Sequence, residues 1–126
     1  MDRCVECELY NVQKTDRWKN IEGYEEEYRI SDKGEVQYWD HNEKEWKTKK
    51  IRMNENEYCY VRLKKSGEEK NFFVHRLVAE AFIDNPEKKE TVNHKNMEKS
   101  CNCVDNLEWM TQEENNQDYV KRLKNK

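Results

Sequence analysis

The side chains best suited to chemistry lie in the last third of the chain. Residues 92–95 and 107–110 are predicted as short strands joined by a polar loop, and a helix follows from residue 111. His94 closes the first strand, and Asn115 lies near the start of the helix. Histidine exchanges protons near neutral pH, and an amide oxygen can bind a hard cation. A β-hairpin packed on a helix can aim both side chains at one point.

Five cysteines offer a second kind of chemistry. Cys4 and Cys7 form a C-x-x-C, Cys101 and Cys103 form a C-x-C, and Cys59 stands apart. The two pairs could hold a structural zinc ion. The alternative is a set of free thiols, with Cys59 and Cys103 as small core residues. The odd count and the lack of a signal-peptide core predict an intracellular protein, cytoplasmic or nuclear, that is not secreted.

The net charge of −3, taken alone, disfavours a nucleic-acid partner. Its distribution is uneven, since residues 1–50 hold 10 Lys/Arg and 13 Asp/Glu while residues 51–126 hold 14 of each. From Lys44 to Lys65, eight basic residues stand against three acidic ones, a local excess of five positive charges. This segment could follow a phosphate backbone, and the alternative is a solvated strand face.

Length and composition predict one small folded domain. The 126 residues are 40% charged and 34% hydrophobic, but 4 Trp, 7 Tyr and 3 Phe argue against disorder. The chain is too short for a barrel enzyme. No apolar run approaches the roughly 18 residues of a membrane span, so we expect no membrane partner.

Short strands and turns dominate the upstream part. Alternation and turn residues predict strands at 28–31, 35–39, 58–63 and 71–74, and a helix at 75–83. Cys59, Val61 and Leu63 share one face of their strand. His75 is predicted to cap or pack at the start of the first helix. Small sheets and two helices give an α+β fold.

These segments resemble the HNH endonucleases of the phage and intron homing type, which carry a ββα-metal finger. The matching text is VNHKN at 92–96, NCVDNLEWMT at 102–111 and EN at 114–115, preceded by HRLVAEAF at 75–82. Residues 18–24, 28–31 and 34–36 resemble the NUMOD-type module that precedes such nucleases. The resemblance implies an N-terminal extension at 1–17, a NUMOD-like β module at 18–70 and an HNH ββα-metal core at 71–126.

The resemblance also implies a metal-dependent endonuclease that cleaves DNA, which we expect to be double-stranded. His94 would be the general base, Asn93 and Asn115 would hold one divalent metal, and Asn106 would brace the loop that holds His94. Oxygen ligands suit Mg²⁺ or Mn²⁺. The expected products carry a 5′-phosphate and a 3′-hydroxyl. The recognised DNA target is expected to be short or degenerate, unless a partner or a homodimer supplies the sequence specificity. The basic residues expected to contact DNA are Lys47, Lys49, Lys50, Arg52, Arg62, Lys64, Arg76 and Lys95.

The sequence departs from the family pattern at the proposed metal ligands. Asn93 stands where many relatives carry an acid, and Asn115 stands where the name-giving motif has a histidine. Two neutral ligands should hold a metal weakly until a DNA phosphate joins them. Residues 96–98 also replace the usual Asp-Gly-Asn turn, which predicts a different loop path. Two alternatives therefore stay open: a catalytically degenerate DNA-binding module, and a zinc-stapled interaction domain.

Overall fold

The computed structural model describes residues 17–124, which form nine strands, two α-helices and one 3₁₀ turn. In chain order the elements are β1 (Trp18–Asn20), β2 (Tyr28–Ser31), β3 (Val36–Asp40), β4 (Glu45–Thr48), β5 (Arg52–Met53), β6 (Cys59–Lys65), β7 (Glu68–Phe73), α1 (Val74–Phe82), β8 (Thr91–His94), the 3₁₀ turn (Val104–Asn106), β9 (Leu107–Met110) and α2 (Gln112–Lys124). Within these residues the strands form three antiparallel sheets, β1–β4, β5–β7 and β8–β9. The predicted α+β class is confirmed.

The main core lies between the first two sheets, α1 and the hairpin β8–β9. On β6, Cys59, Val61 and Leu63 are buried while the intervening residues face outward, as the alternation predicts. Helix α1 buries Leu77 and Val78 in the same cluster. Each fully buried aliphatic side chain is worth about 1.5–3 kcal/mol, so this cluster fixes α1 against the strands that precede it.

The hairpin and the second helix are joined by a capping box. Val92 pairs with Trp109 and His94 with Leu107 across the hairpin. The Thr111 hydroxyl oxygen accepts a hydrogen bond from the Glu114 amide at 3.0 Å, and the Glu114 carboxylate accepts one from the Thr111 amide at 2.9 Å. This reciprocal cap, predicted from the sequence, fixes where α2 begins.

The turn between β2 and β3 packs directly on the loop before the 3₁₀ turn. The Val104 amide donates to the Asp32 carbonyl oxygen at 2.8 Å. Gly34 has a φ of +84°, and a Cβ atom built on it would lie 2.9 Å from the Asn102 Cβ atom. Only glycine fits this approach without a shift. The turn between β2 and β3 of the N-terminal sheet therefore supports the loop that joins β8 to the 3₁₀ turn.

The predicted strands and helices are confirmed within three residues at each end. Strands β1, β4 and β5, of two to four residues, lie outside the segments predicted as strands. Neither helix between residues 17 and 124 has the length and apolar character that a membrane crossing requires.

Candidate active site

His94 lies at the end of β8 and is buried, with 6% of its surface exposed. Its Nε2 atom donates a hydrogen bond to the Asn102 Oδ1 atom at 2.8 Å. Because an amide oxygen can only accept, this bond places the ring proton on Nε2 and leaves the lone pair on Nδ1. The Nε2 atom of His94 thus holds the ring in place through this hydrogen bond, and the Nδ1 atom is available to accept a proton.

The surroundings of His94 favour its neutral form. Burial lowers the pKa of His94 below its usual range, while the hydrogen bond to Asn102 acts in the opposite direction. The positive charge of Lys99 also lowers this pKa. The neutral imidazole, which is the form that can act as a base, is therefore dominant at neutral pH.

An aromatic cluster packs behind His94. The ring centroids of His75 and His94 are 4.9 Å apart, and the Tyr58 ring lies 5.4 Å from His75 and 6.3 Å from His94. Burial, with smaller contributions from His94 and Arg76, lowers the pKa of His75 to about 3. The prediction that His75 packs at the start of its helix is confirmed, because it is the second residue of α1 and its ring is buried against those of Tyr58 and His94.

Asn106 ties together the loop that follows His94. Its Oδ1 atom accepts a hydrogen bond from the Asn96 amide at 3.0 Å, and its Nδ2 atom donates to the Cys101 carbonyl oxygen at 2.9 Å. Its carbonyl oxygen also accepts from the Lys95 amide at 2.8 Å. These are bonds to backbone of the kind that the family resemblance implies for this residue.

The turn directly after His94 closes without glycine. The Met97 amide donates to the His94 carbonyl oxygen at 3.0 Å, and Met97 has a φ of +66°. This left-handed conformation is one that glycine adopts readily and that costs other residues roughly 1–2 kcal/mol. The turn is thus tight although Met97 stands where the family resemblance implies a glycine.

A cavity of about 210 Å³ opens beside His94. Two further predicted residues reach it, Asn93 from β8 and Asn115 from the first turn of α2. The Asn93 Nδ2 atom donates to a Glu108 carboxylate oxygen at 3.3 Å, which leaves its Oδ1 oxygen for a cation. The cavity is lined by Tyr58, Val92, Asn93, His94, Met97, Lys99, Asn115 and Asp118.

The oxygen donors of this cavity fit a hard divalent cation. Asn93 and Asn115 carry amide oxygens, and Asp118 carries a carboxylate. Within residues 17–124, no three His, Cys, Asp or Glu side chains converge on one point. A cation at this position would therefore depend on the amide oxygens for much of its coordination by the protein.

Two of the predicted DNA-contacting residues are engaged in structural interactions. The Lys47 ammonium lies 2.9 Å from the Asp40 carboxylate and 2.7 Å from that of Glu43, so its charge is largely compensated. Arg76 donates to the Glu90 carbonyl oxygen at 2.9 Å. For these two residues the structure favours a role in packing over one in binding phosphate.

The other predicted basic residues lie on more open surfaces. Arg52, Arg62 and Lys64 are exposed on β5 and β6, and Arg62 donates to the Asn71 side chain at 3.2 Å. Residues 49 and 50 form the link between β4 and β5, and residue 95, directly after His94, is exposed. Exposed basic side chains therefore lie on the sheet β5–β7, whose strand β6 begins directly after Tyr58.

The cysteines divide between core and undescribed residues. Cys59 and Cys103 are buried, as expected of small core residues. Cys101 is also buried and is disulfide-bonded, and in that state its sulfur is not a thiolate ligand. Cys4 and Cys7 lie outside the described residues, so the zinc hypothesis stays a prediction.

Four residues of the site were not singled out from the sequence: Asn102, Glu108, Lys99 and Asp118. Asp118 could have been found, because a residue three positions after Asn115 lies on the same helix face. Asn102 and Lys99 lie in the irregular loop 95–103, where no periodicity indicates the direction of a side chain. Glu108 pairs with Asn93 across the hairpin, which becomes evident only once the register is known.

Comparison with known families gives two matches, in the order expected. Residues 16–64 match the NUMOD4 motif, and residues 72–117 match the HNH endonuclease family. The chain therefore carries an HNH endonuclease domain preceded by a NUMOD4 motif.

Individual relatives agree with this assignment. The chain is 39% identical to DNA endonuclease I-HmuI of Bacillus phage SP01 over 105 residues, covering 83% of this chain and 58% of the relative. An uncharacterized HNH endonuclease of Acanthamoeba polyphaga mimivirus is 40% identical over 99 residues, covering 79% of this chain and 28% of the relative. A solved structure, described as DNA binding and cleavage by the HNH homing endonuclease I-HmuI, superposes with a TM-score of 0.75 at 38% identity. That match covers 84% of this chain and 59% of the solved one, so the chain spans less than two thirds of each of these relatives.

Proposed function

We propose that this chain is a metal-dependent DNA endonuclease that hydrolyses phosphodiester bonds. The observation that carries the proposal is the convergence of His94, Asn93 and Asn115 on one cavity, with His94 held by Asn102 in the tautomer that a base requires. The similarity to the DNA endonuclease I-HmuI supports DNA as the substrate. Mg²⁺ or Mn²⁺ is the proposed cofactor, because the donors are oxygens.

In the proposed reaction, Nδ1 of His94 accepts a proton from the attacking water. The Asn102 Oδ1 atom keeps the opposite nitrogen protonated, so the ring need not change tautomer before it acts. The bound cation would stabilise negative charge on the scissile phosphate and on the leaving 3′ oxygen. The products are a 5′-phosphate and a 3′-hydroxyl.

The positive and aromatic surface beside the cavity gives the DNA a route to His94. Lys99 lies in the cavity wall, where its ammonium stands 4.7 Å from the centre of the Tyr58 ring. Phe73, which is 39% exposed, contacts the Tyr58 ring and continues this surface onto the sheet β5–β7 with Arg52 and Arg62. Contacts of basic side chains with phosphate give affinity but little sequence information.

A plasmid-nicking assay with Mg²⁺ or Mn²⁺ tests this function. Replacement of the base in His94→Ala should lower the nicking rate by roughly 10²- to 10⁴-fold. His41→Ala is the matched control, because His41 is exposed and its imidazole contacts Glu27. This control should cleave like the wild type.

A non-cleaving DNA-binding module is the second candidate, favoured by the two neutral amide ligands. If the wild type shifts DNA in a gel but leaves supercoiled plasmid intact with every divalent metal, the endonuclease proposal fails and the module is favoured. If His94→Ala cleaves as fast as the wild type, the assignment of the base is wrong.

A further inference from the structure

We propose that Asp118 is the anionic ligand of the cation site and takes over the charge that Asn93 lacks. The proposal rests on the proposed metal dependence, but it concerns a residue that neither the motif nor the relatives' names assign. It makes the donor set of the cavity one carboxylate and two amides.

Position on the helix is the first observation. Asp118 follows Asn115 by three residues on α2, and residues three apart on a helix lie on the same face with Cβ atoms about 5–6 Å apart. Both line the cavity together with Asn93 and His94. A cation that touches Asn115 is therefore within reach of Asp118, directly or through one water.

Charge is the second observation. Lys99 also lines the cavity. Its positive charge repels a metal cation bound there, unless a nearby carboxylate compensates the charge of the lysine. Among the residues described as lining the cavity, Asp118 is the single acidic one. Glu108 does not line it, and its carboxylate accepts the hydrogen bond from Asn93.

The chemistry of magnesium and manganese is the third argument. Mg²⁺ usually binds through one or two carboxylates, and the remaining positions are filled by waters and substrate phosphates. Asn93 and Asn115 alone supply no negative charge to the cation. With Asp118, the proposed protein ligands include one carboxylate. The missing acid on β8 is thus replaced from the facing helix.

Manganese binding by the full chain, followed by electron paramagnetic resonance without DNA, tests the proposal. Asp118→Asn should weaken Mn²⁺ binding by roughly 10- to 100-fold, the range seen when groups that support a metal site are removed. Glu113→Gln is the matched control, because it removes an exposed carboxylate from the same helix. Returning an acid to β8 in Asn93→Asp/Asp118→Asn should restore most of the affinity. Circular dichroism checks that each variant is folded.

The outcomes separate this proposal from the proposed function. Equal Mn²⁺ affinity in Asp118→Asn and the wild type overturns the role of Asp118, even if the wild type nicks plasmid. Absence of Mn²⁺ binding by the wild type overturns it as well. If affinity depends on Asp118 but no plasmid is cut, the cation site stands and the endonuclease proposal fails.

Discussion

The two sides of the cavity are built differently. On the side of His94, buried and part-buried hydrogen bonds fix the side chain and its loop: Asn102 holds the ring and Asn106 holds the loop. Gly34, in the turn between β2 and β3, packs against Asn102. On the cation side, the one hydrogen bond described for the Asn93 amide, to Glu108, is 3.3 Å long. The start of the helix that carries Asn115 is held there by its cap, by the Lys89–Glu114 ion pair at 3.0 Å, and by a hydrogen bond of 2.6 Å from the Gln112 amide to the Glu90 carboxylate.

The difference indicates what each side must do. A base needs one orientation and a neutral ring before the substrate arrives, and a buried ring held by a hydrogen bond at its other nitrogen supplies both. A cation that also binds a substrate phosphate gains part of its coordination from that phosphate. Its protein ligands therefore need not be held as rigidly as the base. Variants can therefore disturb one side without the other.

Among variants that leave His94 and the proposed cation ligands in place, Gly34→Ala should have the largest effect, and it should act on the base side. The new Cβ atom would lie 2.9 Å from the Asn102 Cβ atom and 3.1 Å from its carbonyl oxygen, so the loop that orients His94 must shift. We expect at least about a tenfold loss of nicking rate, because catalysis is sensitive to misplacement of a base by less than 1 Å. Mn²⁺ affinity should stay near that of the wild type.

Gly67→Ala is the control for Gly34→Ala. Gly67 has a similar φ of +81°, but nothing lies within 4 Å of its added Cβ atom. It should lose roughly 1 kcal/mol of stability through backbone strain alone, with activity unchanged. Equal loss of activity in the two variants would show that strain, and not the contact with Asn102, is responsible.

Asn102→Asp should move the pH dependence of cleavage. A carboxylate beside Nε2 favours the imidazolium, so it raises the pKa of His94, which burial lowers in the wild type. In the variant, His94 therefore becomes protonated, and can no longer act as a base, at a higher pH than in the wild type. The acid limb of kcat/KM should shift upward by about one pH unit.

The same charge placed elsewhere gives the control for Asn102→Asp. Asn116→Asp adds a carboxylate on the exposed face of α2, where solvent screens it. Its pH profile should match that of the wild type. An unchanged acid limb in Asn102→Asp would argue against His94 as the titrating base.

Sequence reasoning reached the local features of this site but not its long-range contacts. The alternation on β6 and the Thr111 cap were predictable, because each depends on neighbours along the chain. The contact of Gly34 with Asn102 joins residues far apart in sequence, and no local pattern indicates it. The ion pair between Lys47 and Asp40 was not predictable for a similar reason, since it forms only after β3 and β4 pair.

Thr111→Ala should have the smallest effect, and it should fall on the cation side. It removes the hydroxyl that accepts the Glu114 amide, which costs about 1 kcal/mol at a helix start. Because Asn115 and Asp118 lie just beyond this cap, Mn²⁺ affinity should fall by a few-fold. The acid limb of kcat/KM should not move, since the bonds of His94 lie elsewhere. Thr111→Ser keeps the hydroxyl and should retain the affinity. A shifted acid limb in Thr111→Ala would show that the two sides of the cavity are coupled, which the separate hydrogen-bond networks argue against.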